Sequence, residues 1–195
     1  MKVRFYSYGG SGLKFITNFF KCNTNIDVFD KDHNPHVFLD INNTDIDKQV
    51  FIHSNPINAV ISFCKRNKKS PNWIKNHLKH LNQPYDKIPK YVSIEYILEH
   101  RLDFGINNLF KKWISASNNS NNICLVSYED ILKCNNYLLN FLEIDSRLNI
   151  ENSWKERVSR FTDLDEEVFK AFSDIFEETI YLRGQIGPFY RSFNL

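Results

Sequence analysis

Lys2–Ser7 alternates along the chain and is rich in β-formers, the pattern of a strand. Tyr8-Gly9-Gly10-Ser11-Gly12 interrupts it as a tight glycine loop. Leu13, Phe15, Ile16, Phe19 and Phe20 then recur at helical spacing. Short apolar runs at His36–Asp40 and Gln49–His53 predict two further strands. Pro56 opens a helix to about Arg66, because proline suits a first helical turn, and Lys65–Lys69 is expected as a basic turn. Pro71–Leu81 is expected as a helix, Gln83–Pro89 as a loop, and Tyr91–Ser115 as one long amphipathic helix with Gly105 marking a bend or a break. Ser117–Asn122 is a polar loop, Ile123–Ser127 a strand, and a helix follows from about Glu129. Asp145–Asn152 is a polar connector. Asp163 begins a last helix with Glu166 as its capping-box partner, and Leu182–Leu195 is expected as an ordered loop and tail.

Strands alternating with helices predict an α/β fold. The expected form has three layers, with helices on both faces of a mostly parallel sheet. No internal repeat and no long linker divides the chain, so residues 1–195 are expected to form one domain.

Composition changes this picture little. Hydrophobic residues make up 42% and aromatic residues 15%, enough for a core on each side of a sheet. The formal net charge of +2 is too mild to argue for binding to nucleic acid or a membrane surface, and no nucleic-acid partner is expected. Cys22, Cys64, Cys124 and Cys134 lack metal-ligand or CxxC spacing and are read as reduced thiols. The amino terminus runs straight into a strand, without the apolar stretch of a signal peptide or anchor, and the expectation is a cytoplasmic protein.

The candidate chemistry lies in the glycine loop. Gly9, Gly10 and Gly12 let backbone N–H groups approach an anion, and the following helix adds its unpaired N–H donors and dipole. Ser7-Tyr8-Gly9-Gly10-Ser11-Gly12-Leu13-Lys14-Phe15 resembles the 5′-phosphosulfate loop of PAPS-dependent sulfotransferases, which usually reads Thr-Tyr-Pro-Lys-Ser-Gly-Thr-Thr-Trp. Val50–Phe63, containing Ser54-Asn55-Pro56 and the helical Ser62, resembles that family's 3′-phosphate segment. Gly105 with Trp113, Leu125-Val126-Ser127-Tyr128-Glu129-Asp130, and Arg183-Gly184 through Phe193 are similar to three further family segments, in the same order.

The resemblance implies a P-loop-type sulfotransferase fold that binds PAPS and releases PAP. Gly9, Gly10, Ser11, Gly12, Leu13 and Lys14 would face the 5′ side. Ser54, Ser62, Arg183 and Gly184 would face the 3′-phosphate, and Tyr128 the adenine side. It also implies transfer of the sulfuryl group to a hydroxyl or amine, on a small molecule or a carbohydrate, with positioning and charge stabilisation dominant and no metal required.

The chain departs from the pattern at two positions. Gly10 stands where the family has its loop lysine, and Ser54 where it has the arginine before Asn-Pro. Lys14 is the nearest replacement cation in the loop, and Lys65 and Arg66 are candidates near Ser62. His33 and His36 are the candidate general bases, with Asp40 as another. Two rivals stay open. One is a nucleotide-binding module of the same fold without turnover. The other is a P-loop kinase, for which Val37-Phe38-Leu39-Asp40 resembles a Walker B strand but no hydroxyl follows Lys14.

Overall fold

The computed structural model describes residues 1–28, 45–145, 147–151 and 164–191. The order is β1 (Lys2–Tyr6), α1 (Leu13–Asn23), β2 (Asp27–Val28), β3 (Lys48–His53), α2 (Pro56–Lys69), α3 (Trp73–His80), α4 (Ile94–Glu99), α5 (Ile106–Asn118), β4 (Ile123–Ser127), α6 (Asn135–Phe141), α7 (Glu166–Ile186) and β5 (Phe189–Tyr190). The sheet runs β2-β1-β3-β4-β5. Its first four strands are parallel, and β5 joins the edge antiparallel to β4. The fold is therefore α/β with a mostly parallel sheet.

The strands β1, β3 and β4 are buried along nearly their whole length, as parallel strands covered on both faces must be. Alternation sends their side chains into two cores. Val3, Phe5, Val50 and Ile52 pack with Ile16, Phe20 and Leu138 of α1 and α6. Tyr6 and Phe51 pack with residues of α2, α3, α5 and α7. Trp113 anchors this second core, stacked 4.9 Å from Phe51 and tilted 4.7 Å from Tyr6. Asn55 caps α2 by accepting from the Ile57 N–H at 2.9 Å, and Pro56 follows in the first turn.

Four expectations change. Lys65–Lys69 is the last part of α2, not a turn. The long helix from Tyr91 is two helices, because Arg101, Phe104 and Gly105 adopt positive φ between them; Phe104 is buried there and Gly105 packs beneath Gln83. The segment after Glu129 is a turn, held by Ser127 Oγ donating to Asp130 at 2.9 Å and the Lys133 N–H donating to the Asp130 carbonyl at 2.9 Å, so α6 starts only at Asn135. Finally, α7 continues through Ile186. A mid-helix glycine costs about 1 kcal/mol, and the buried Phe172, Ile175 and Phe176 on α7 outweigh that of Gly184. The strand expected at His36–Asp40 and the cap expected at Asp163 lie outside the described residues. Among the described residues, no helix is long and apolar enough to cross a membrane.

Candidate functional site

The carboxyl ends of β1, β3 and β4 meet at one edge of the sheet, where ligands of open α/β sheets are held. The loop after β1 contains three left-handed glycines, Gly9, Gly10 and Gly12, with φ of 88°, 62° and 68°. Its shape is fixed from within. Ser7 Oγ accepts the Gly9 N–H at 3.0 Å, and Ser11 Oγ donates to the Gly9 carbonyl at 3.0 Å. The Ser11 and Ser54 hydroxyls lie 3.1 Å apart, joining the loop to the turn after β3. The buried Tyr8 reinforces that junction: its phenol donates to the Ser54 carbonyl and accepts the Ser54 N–H at 2.8 Å. Burial raises the Tyr8 pKa, so the phenol stays protonated as this pairing requires.

The glycines are needed for space as well as for φ. A Cβ on Gly10 would sit 3.0 Å from the Ala59 backbone of α2, and one on Gly9 would lie 2.6 Å from the His77 ring. His77 Nε2 donates to the Tyr8 carbonyl at 3.1 Å, and its ring stacks on Trp73 at 4.8 Å. In the fold His77 is buried and supports the glycine loop. A Cβ on Gly12 would fall inside the Tyr128 ring. Tyr128 is thus a core residue packed on the loop.

A polar network lies beside the loop. Arg183 of α7 donates from Nε to His53 Nδ1 at 3.0 Å and from its terminal nitrogen to Glu129 Oε2 at 3.0 Å and Ser127 Oγ at 3.4 Å. Glu129 Oε1 also accepts the Asn55 N–H at 2.9 Å, tying the end of β4 to the start of α2. A guanidinium only donates, so His53 Nδ1 is the bare nitrogen and Nε2 carries the proton. Among the described residues Nε2 has no hydrogen-bond partner, and the ring meets Phe110 edge-on at 5.1 Å. Burial first, and the Arg183 charge second, hold the His53 pKa well below its usual value.

That shift gives a pH prediction. The unfolded chain takes up a proton at His53 as pH falls through about 6.5, and the folded chain does not. The stabilising contribution is therefore complete above pH 6.5. Below it, the contribution declines by up to about 1.4 kcal/mol per pH unit, until the depressed folded pKa is reached. His53→Gln, whose amide oxygen can still accept from Arg183, should lose less stability than the parent between pH 7 and 5.5 in urea titrations. Parallel losses in the two proteins would show that the fold does not lower the His53 pKa.

The expected site residues divide as follows. Gly9, Gly10, Ser11, Gly12, Leu13 and Lys14 form the loop and the first turn of α1, with Lys14 exposed; the Leu13 and Lys14 N–H groups have no intrahelical acceptor. Ser54 and Arg183 reach the same sheet edge. Ser62 is half-buried on α2, three residues beyond Ala59, and Gly184 is exposed on α7. Lys65 is exposed, and Arg66 lies over the Trp73 ring at 5.2 Å. His33, His36 and Asp40 lie outside the described residues. Sequence reasoning missed His53 and the bond of Glu129 to Arg183. A histidine closing an apolar strand, and an acid within Tyr128-Glu129-Asp130, were the available signals. A separate cleft of about 450 Å3, lined by Lys133, Cys134, Tyr137, Pro188 and Phe189, includes none of the loop residues.

No protein-family model matches the chain. No curated protein matches it either.

Proposed function

We propose that the protein binds a phosphorylated adenine nucleotide at the loop after β1 and acts as a PAPS-dependent sulfotransferase of P-loop type. The observation that carries this reading is the convergence at one sheet edge of the left-handed Gly9–Gly12 loop, Ser54 at 3.1 Å from Ser11, and Arg183. Loop and helix N–H groups suit a 5′-phosphate, and Arg183 with Ser62 suits a 3′-phosphate. PAPS would supply a sulfuryl group for a hydroxyl or amine acceptor, on a small molecule or a carbohydrate. The acceptor's proton would pass to a base, for which His33 and His36 remain the candidates, and Lys14 is the candidate for stabilising charge on the departing phosphate.

A second reading, nucleotide binding without turnover, is favoured by one feature. Arg183 is already neutralised by Glu129 at 3.0 Å, while Gly10 brings no charge where the sulfotransferase loop has a lysine. Calorimetry with PAP, AMP and magnesium-ATP separates the readings. PAP is expected to bind at least about tenfold more tightly than AMP, a difference of about 1.4 kcal/mol. Equal affinities for PAP and AMP would defeat both sulfotransferase-type readings, and preference for magnesium-ATP would favour a kinase. PAP binding without transfer from PAPS to any of a panel of phenol, sugar and amine acceptors would select the non-catalytic reading.

A further inference from the structure

The whole-chain charge of +2 conceals a strong segregation. Between positions 56 and 93 there are seven lysines and Arg66 against a single carboxylate, Asp86. This stretch carries a net +7 and leaves the rest of the chain at −5. Among the described residues, none of these seven lysines takes part in a salt bridge, and Glu95 on α4 is the acid within electrostatic reach of Lys68. Six of the seven are exposed, and Lys75 is half-buried.

The fold gathers these charges. The Lys90 carbonyl accepts from the Asn72 N–H at 3.0 Å and from Asn67 Nδ2 at 3.5 Å, which brings the chain before α4 onto the corner between α2 and α3. Arg66 lies over Trp73 at that corner, with Lys68 and Lys69 closing α2 beside it. From there α3 carries Lys75 and Lys79, four residues apart on one face, toward the end where His77 touches the glycine loop. Tyr91 is 57% exposed, with the Lys90 ammonium 5.8 Å from its ring centroid.

Unpaired lysines are point charges suited to a phosphate backbone rather than to one bidentate anion. An exposed aromatic ring among them adds a stacking platform, which a base can use. We infer that the surface formed by the end of α2, α3 and residues 84–91 binds single-stranded nucleic acid through its backbone. Lys68, Lys69 and Lys90 are its electrostatic centre, and Tyr91 is its base-stacking contact. Lys68, Lys69, Lys90 and Tyr91 are not among the candidate residues of the nucleotide site after β1.

Fluorescence anisotropy of a labelled 20-mer of thymidine with the full chain tests the inference. Binding should weaken with salt, with a log–log slope of about −3 if four phosphates are contacted. The triple variant K68Q/K69Q/K90Q should bind at least tenfold more weakly and with a shallower slope. K112Q/K170Q, elsewhere on the exposed surface, should bind as the parent does, and thermal melts matched to the parent certify the folds. Tyr91→Ser should weaken the oligonucleotide at least threefold while leaving heparin binding unchanged. The inference is overturned if the triple variant binds like the parent, or if the parent shows no binding at low salt. It is equally overturned if Tyr91→Ser leaves the oligonucleotide unaffected, or if heparin or vesicles containing phosphatidylserine bind more tightly than the oligonucleotide.

Discussion

Gly12→Val is expected to destabilise the fold by about 2–5 kcal/mol, combining left-handed strain of about 1–2 kcal/mol with overpacking of about 1–3 kcal/mol. Both contributions are local. Gly12 holds φ at 68°, where an L side chain is strained, and any Cβ there meets the Tyr128 ring. The structure places the first collision inside the protein, so loss of nucleotide binding in this variant would not by itself report on the site. A double-mutant cycle separates the two contributions. In a Tyr128→Ala background, Gly12→Ala should cost only the backbone strain, about 1–2 kcal/mol. Urea midpoints at constant m-value give the comparison. Additive costs would mean that the Tyr128 ring does not rest on Gly12.

Arg183→Met is expected to lower stability by about 1–3 kcal/mol, because it removes the cation paired with Glu129 and the donor to His53. Glu129→Gln should cost less, since its amide oxygen can still accept from the Asn55 N–H, and only the bond to Arg183 is lost. The two changes share one ion pair, so the double variant should be more stable than the sum of the singles by about 1 kcal/mol or more. The same pair bears on the nucleotide site. In the proposed function Glu129 competes with a 3′-phosphate for Arg183, so Glu129→Gln should tighten PAP binding and leave AMP binding unchanged, by calorimetry. If Glu129→Gln weakens PAP, the ion pair positions Arg183 instead of restraining it.

Much of the frame was legible because it rests on short-range patterns. The glycine loop between β1 and α1, the proline opening α2 and the strand Ile123–Ser127 all follow from local periodicity and turn chemistry. Where reading failed, long-range contacts had overruled local preference. The sequence from Tyr91 to Ser115 has one helical period, yet burial of Phe104 and the packing of Gly105 beneath Gln83 break it in two. The last stretch looks like a tail because of its glycines and proline, yet aromatic packing earlier in α7 carries the helix past Gly184.

The candidate site divides the same way. The residue types that can hold an anion, Gly9 to Gly12 followed by a helix, stand together in the sequence, and the sequence by itself determined that loop and the alternation that makes the sheet parallel. Only the tertiary structure decided what surrounds it. His77 comes from α3 to the Tyr8 carbonyl, Tyr128 from the turn after β4 to Gly12, and Arg183 from α7 to His53 and Glu129, across separations of 69, 116, 130 and 54 residues. No local pattern encodes such pairings. They are set by which helix face each layer buries against the sheet, and that choice is made when the two cores pack.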